Sequence, residues 1–192
     1  MQQNFNEGFI EVITGCMFSG KTEELIRRIS VLTYAHKRII AFKPALDDRY
    51  STTSITSHSG DKVVCYVIEK AEEIYKHINE DTEVVAIDEV QFFDEKIVDI
   101  CEDLADKGIR VMVSGLDLDF RGEPFYNTMQ LITRAEFVSK LTAICAICGA
   151  PATRSQRIID GEIADYNDSI VKIGAVEIYE PRCRHCHEIK GK

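Results

Sequence analysis

The sequence predicts an α/β fold in which a mostly parallel sheet is covered by helices and carries a small C-terminal appendage. Three observations predict it. Apolar runs alternate with amphipathic stretches through residues 1–140, a glycine-rich loop occupies 15–22 between one such run and the next, and two Cys-x-x-Cys units lie toward the C-terminus.

Residues 9–14, 38–42, 62–68, 84–87 and 110–114 read as strands, because their Val and Ile content is nearly continuous rather than alternating. That pattern suits strands buried on both faces. Residues 23–34, 71–78 and 96–107 show helical spacing, with Ile97, Ile100, Cys101 and Leu104 on one face of the last. Two stretches break the pattern: 43–60 is rich in Ser, Thr and Asp, and 116–126 is irregular with Gly122 and Pro124. Each reads either as a plain connection or as a wall of the site, since ligands of open α/β sheets bind beyond the carboxyl ends of the strands.

A chain of 192 residues has room for one such domain and a small appendage, but not for a further large domain. Hydrophobic residues at 45% and charged residues at 29% are ordinary for a soluble globular protein, and no apolar run approaches a membrane span. The polar N-terminal residues do not read as a secretory signal, so a cytoplasmic location without membrane association is expected. The net charge of -9 is opposite to the basic footprint of a protein that grips nucleic-acid polymers. Small substrates are expected instead.

Gly15-Cys16-Met17-Phe18-Ser19-Gly20-Lys21-Thr22 fits G-x-x-x-x-G-K-[ST] and stands between a strand and a helix opening with Glu23 and Glu24. Backbone N–H groups of such a phosphate loop surround the phosphates of ATP at a helix N-terminus, Lys21 neutralises the outer phosphates, and the Thr22 hydroxyl ligates magnesium. The second element runs through Asp88-Glu89-Val90-Gln91 after the apolar strand at 84–87 and resembles a Walker B strand. Asp88 would hold Mg2+ opposite Thr22, and Glu89 would either accept a proton or merely support the metal. The fold class that follows is a P-loop parallel sheet flanked by helices, with a RecA-like core, over residues 1–140.

The third element comprises Cys145 with Cys148 and Cys183 with Cys186. Seven cysteines without a secretion signal indicate reduced thiols or metal ligation, and two such units near one end indicate zinc. Four protein ligands close a tetrahedral site and leave no open position, so this Zn2+ is expected to be structural. The spacing favours Cys186 as the fourth ligand, with flanking His185 and His187 as alternatives. The long interval between the units requires a loop over 160–178 to project from the metal-stapled base, giving a zinc-ribbon subdomain with a lasso over 141–192.

Together these residues, with Lys43-Pro44, Asp47, Arg49-Tyr50, Phe92-Phe93, Gly115-Leu116-Asp117, Phe120 and Cys183-Arg184-His185-Cys186, resemble the thymidine kinase family of the cytosolic human and bacterial zinc-containing type. The likeness spans nearly the whole chain. It implies transfer of the ATP γ-phosphate to thymidine with Glu89 as the base, Arg49 near the reacting phosphate, and a thymine pocket formed by Met17, Phe92, Leu116, Phe120 and Tyr179. It also implies that the backbone of Val171, Lys172, Ile173 and Gly174 hydrogen-bonds the base. A homotetramer and feedback inhibition by dTTP are expected on the same ground. Deoxyuridine is expected as a second substrate, because one methyl group is worth only about 1–3 kcal/mol of discrimination. Cys16 departs from the Pro or Ser usual in the family. The motifs alone also permit a P-loop ATPase whose ribbon binds nucleic acid, against which stand the acidic balance and the few cations near the cysteines.

Overall fold

The computed structural model describes residues 7–45, 54–56, 60–170 and 177–191. Its centre is a six-stranded sheet built from β1 (Phe9–Gly15), β2 (Ile39–Pro44), β5 (Tyr66–Ile68), β6 (Val84–Ile87), β7 (Arg110–Gly115) and β8 (Phe137–Leu141). The order is β5-β2-β6-β7-β1-β8 and every pairing is parallel. The phosphate loop follows β1 and the acidic pair follows β6, so both emerge at the same edge of the sheet.

The continuous apolar runs are explained by burial on both faces. Val85 and Ile87 of β6 join one core cluster with Ile97, Ile100, Cys101 and Leu104 of α2 (Lys96–Asp106), while Val84 and Ala86 pack on the other face with Leu25, Ile26 and Ile29 of α1 (Lys21–Tyr34). Charge is admitted at one place in β1, where buried Glu11 pairs with Arg28 of α1 and Arg110 of β7.

Several elements differ from the sequence reading. The strand expected over 62–68 is two strands: β4 (Lys62–Val64) pairs antiparallel with β3 (Ser54–Thr56), and only β5 joins the main sheet. The break falls at buried Cys65, where the chain leaves one sheet for the other. β3 itself lies inside the stretch expected to be irregular. The helix expected over 71–78 is a 3-10 helix, Ala71–Lys76, whose start is fixed by the Glu73 carboxylate accepting the Lys70 N–H at 3.1 Å and by Asp94 accepting the Ala71 N–H at 3.0 Å.

Two elements carried no sequence signal. Helix α3 (Tyr126–Arg134) buries Asn127 and Thr128 beside Leu131, and Asn127 Nδ2 donates to the carbonyls of Val90 and Phe93 at 3.2 and 2.8 Å. Polar residues on the buried side erase the apolar periodicity by which helices are read. Strand β8 lies at the sheet edge, with Phe137 and Val138 exposed, so it lacks the apolar density of the central strands.

The C-terminal part comprises a short ribbon of β9 (Ala143–Ile144) and β10 (Pro151–Ala152) and an antiparallel sheet ordered β12-β11-β13. In that sheet β11 is Arg154–Ile159, β12 is Glu162–Ile163 and β13 is Glu177–Arg182.

Candidate active site

Turning from a parallel strand into a helix exposes a row of backbone N–H groups, and the loop 15–22 is bent for that purpose. Gly20 takes φ 85° immediately before α1, and Phe18 takes φ 63°. Lys21 is buried, and its Nζ donates to the Cys16 carbonyl at 2.9 Å, which folds the cation against the loop. The loop is also fastened from the C-terminal part of the chain. Cys16 Sγ donates to the Ala152 carbonyl at 3.3 Å, and the Met17 N–H donates to Ser155 Oγ at 3.0 Å.

Thr22 Oγ1 donates to Asp88 Oδ2 at 3.4 Å, so the hydroxyl and the carboxylate expected to serve magnesium converge. Ser114, fully buried at the end of β7, donates to the other Asp88 oxygen. Burial, followed by the charge of Glu89, pushes the Asp88 carboxyl up to about 6. A cation between Asp88 and Thr22 would relieve both effects, so the donor set fits Mg2+.

Adjacent carboxylates at a strand end would ordinarily point to opposite faces. Glu89 departs from the strand by taking the left-handed conformation, φ 52° and ψ 42°, a strain of about 1–3 kcal/mol for a residue with a side chain. It opens the 3-10 turn Val90–Phe92 and lines the cavity. Its carboxylate accepts a hydrogen bond from Gln91 Nε2.

That cavity, of about 290 Å³, brings the two halves of the expected chemistry together. Lys21, Thr22 and Glu89 line it together with Met17, Phe92, Leu116, Phe120 and Tyr179, the expected base pocket. Phe125, Leu118, Ser155 and Ile170 also line it and were not expected. Phe125 meets Phe92 edge to face with centroids 6.0 Å apart, and the flanking irregular stretch was the only sequence signal for it. Arg157 gave no signal in an unremarkable strand, yet it is fully buried with its guanidinium 4.9 Å from the Phe120 ring and donates to the Ser169 carbonyl. Arg49 and the segment Val171, Lys172, Ile173 and Gly174 lie outside the described residues.

In the C-terminal part, the sulfurs of Cys145, Cys148, Cys183 and Cys186 lie within 4.8 Å of one another. Cys148 and Cys183 are 3.6 Å apart, against about 3.8 Å for the edge of a tetrahedron with Zn–S bonds of about 2.3 Å. Gly149 closes the first turn at φ 73°, with its N–H on the Cys145 carbonyl at 3.0 Å, and Cys186 and His187 donate to the Cys183 carbonyl in the second. The donor set fits zinc. His185 is exposed, and His187 Nε2 is 2.8 Å from the Phe120 carbonyl, so neither histidine belongs to the cluster.

Among the described residues no helix is long and apolar enough to cross a membrane. The family model for thymidine kinase matches residues 8–187, taking in the phosphate loop, the acidic pair, the pocket wall and all four clustered cysteines. The chain therefore belongs to the thymidine kinase family and is an ATP-dependent phosphotransferase acting on thymidine.

Proposed function

We propose that the protein transfers the γ-phosphate of ATP to the 5′-hydroxyl of thymidine and of deoxyuridine, giving the 5′-monophosphates in nucleotide salvage. The observation that carries this reading is the single cavity lined by Lys21 and Thr22, by Glu89, and by Phe92, Leu116, Phe120 and Tyr179. A flat pyrimidine base fits among the aromatic residues, and the sugar hydroxyl then lies between the carboxylate and the phosphates.

In the reaction Glu89 accepts the proton of the 5′-hydroxyl as its oxygen bonds to the γ-phosphorus, and the bond to the β-phosphate oxygen breaks to release ADP. Lys21 and the loop N–H groups hold the phosphates in line, which is most of what phosphoryl transfer needs from a protein. Asp88 and Thr22 would hold magnesium, which when bound would neutralise phosphate charge. Aromatic walls exclude water from the reacting atoms. Residues 1–140 act as the ATP-binding domain and 141–192 as a zinc-ribbon subdomain. A cytoplasmic homotetramer inhibited by dTTP belongs to the same reading.

Phosphorylation of thymidine and deoxyuridine is expected with rates within roughly 10- to 200-fold of each other, since they differ by one methyl group. Deoxycytidine and purine deoxynucleosides are expected to be nearly inert. A nucleoside panel read by ADP release checks this, and comparable turnover of deoxycytidine would contradict the proposed pocket.

A further inference from the structure

We propose that Gln91 is the positioning residue for Glu89, and that it ties the carboxylate to the pocket wall at Leu116. The inference rests on the reading of Glu89 as the base. Gln91 is buried, with Nε2 donating to Glu89 Oε2 while Oε1 accepts the Leu116 N–H at 3.0 Å. A carboxylate only accepts and a backbone N–H only donates, so the bridging group must do both. The glutamine amide does so with a reach that serine, threonine and asparagine lack.

The surroundings are shaped to this bridge. A Cβ on Gly115 would meet Gln91 Oε1 at 2.6 Å and Val90 Cγ1 at 2.8 Å, so β7 passes the amide at a distance only glycine permits. Glu89 is held in the left-handed region two residues before Gln91, and Asn127 fastens the turn between them through the carbonyls of Val90 and Phe93. Leu116 lines the same cavity as Glu89. The pocket wall at Leu116 and the Glu89 carboxylate are thereby joined through one amide. Ser114 holds Asp88 from the neighbouring position of the same strand, so the end of β7 orients both members of the acidic pair by separate contacts.

The test compares Gln91→Met, which keeps the length and packing but removes both hydrogen bonds, with Gly115→Ala, which displaces the amide without changing it. Each is expected to lower kcat for thymidine about 10- to 100-fold, the fold-change of one hydrogen bond to a charged group. KM for ATP should stay within about twofold, because neither residue lines the phosphate loop. The decisive arm places each substitution in a Glu89→Gln background. A residue that acts through Glu89 has nothing further to lose there, so less than about a twofold additional decrease is expected. Multiplying losses in the double variant would overturn the proposal, as would wild-type kcat in folded Gln91→Met. If Glu89→Gln alone retains wild-type turnover, the base reading has failed, and the positioning proposal falls with it. Melting curves of all variants identify a loss of fold, and Gly115→Ala supplies the answer if Gln91→Met does not fold.

Discussion

Replacement of Cys145 or Cys183 by alanine is expected to release zinc and to unfold the C-terminal ribbon, with weakened ATP binding as a distant effect. Structural zinc contributes apparent binding energies of about 10–16 kcal/mol in small metal-folded units, comparable to the whole stability of a domain. Here the consequence spreads, because Cys16 of the phosphate loop packs in one apolar cluster with Cys145, Ala152 and Cys183. Losing the ribbon also removes the Ala152 partner of Cys16 Sγ and frees the start of β11, where Ser155 holds the Met17 N–H. Elemental analysis should give about one zinc per chain in the unaltered protein and none in the variants. ATP titrations should show the weakened loop. Zinc-free protein with unchanged melting and unchanged ATP affinity would contradict a metal-stapled ribbon.

Glu89→Gln is expected to lower turnover by about 10² to 10⁴, the usual contribution of general base catalysis, while ATP and thymidine still bind. The substitution keeps the shape of the side chain and removes only its ability to take a proton. Asp88→Asn should behave differently. It removes a charge facing Thr22 and should weaken magnesium-dependent ATP binding as well as the rate. Both variants should keep zinc and fold, since neither residue touches the cysteine cluster. Titration of each ligand together with steady-state rates separates the two roles. Near wild-type turnover of Glu89→Gln would exclude proton acceptance by this carboxylate.

Much of the fold was legible because its signals are local. The phosphate loop has a fixed spacing, the central strands are apolar on both faces, and paired cysteines keep their meaning wherever the chain carries them. The adjacent carboxylates were also visible, with Asp88 expected on magnesium and Glu89 on the proton, but the local geometry that separates them was not. It depends on the left-handed turn at Glu89 and on partners that come from β7 and from Gln91. Helix α3 escaped notice because buried Asn127 and Thr128 make hydrogen-bonded or close contacts that a hydrophobic pattern does not record, and β8 because an edge strand exposes Phe137 and Val138. Arg157 illustrates the same limit: its burial against Phe120 is a product of tertiary packing, and no spacing announces a buried cation. The choice among Cys186, His185 and His187 needed the cluster of sulfurs to settle it.

The most direct measurement mixes magnesium, ATP and thymidine with the purified protein and follows ADP release together with the position of the new phosphate by phosphorus NMR. One thymidine 5′-monophosphate should form for each ADP released, with little ADP released when thymidine is omitted. Thymidine-independent ADP release, or phosphate appearing on the 3′-hydroxyl, would contradict the proposed transfer to the 5′-hydroxyl in the cavity that Glu89 lines with Lys21 and Thr22.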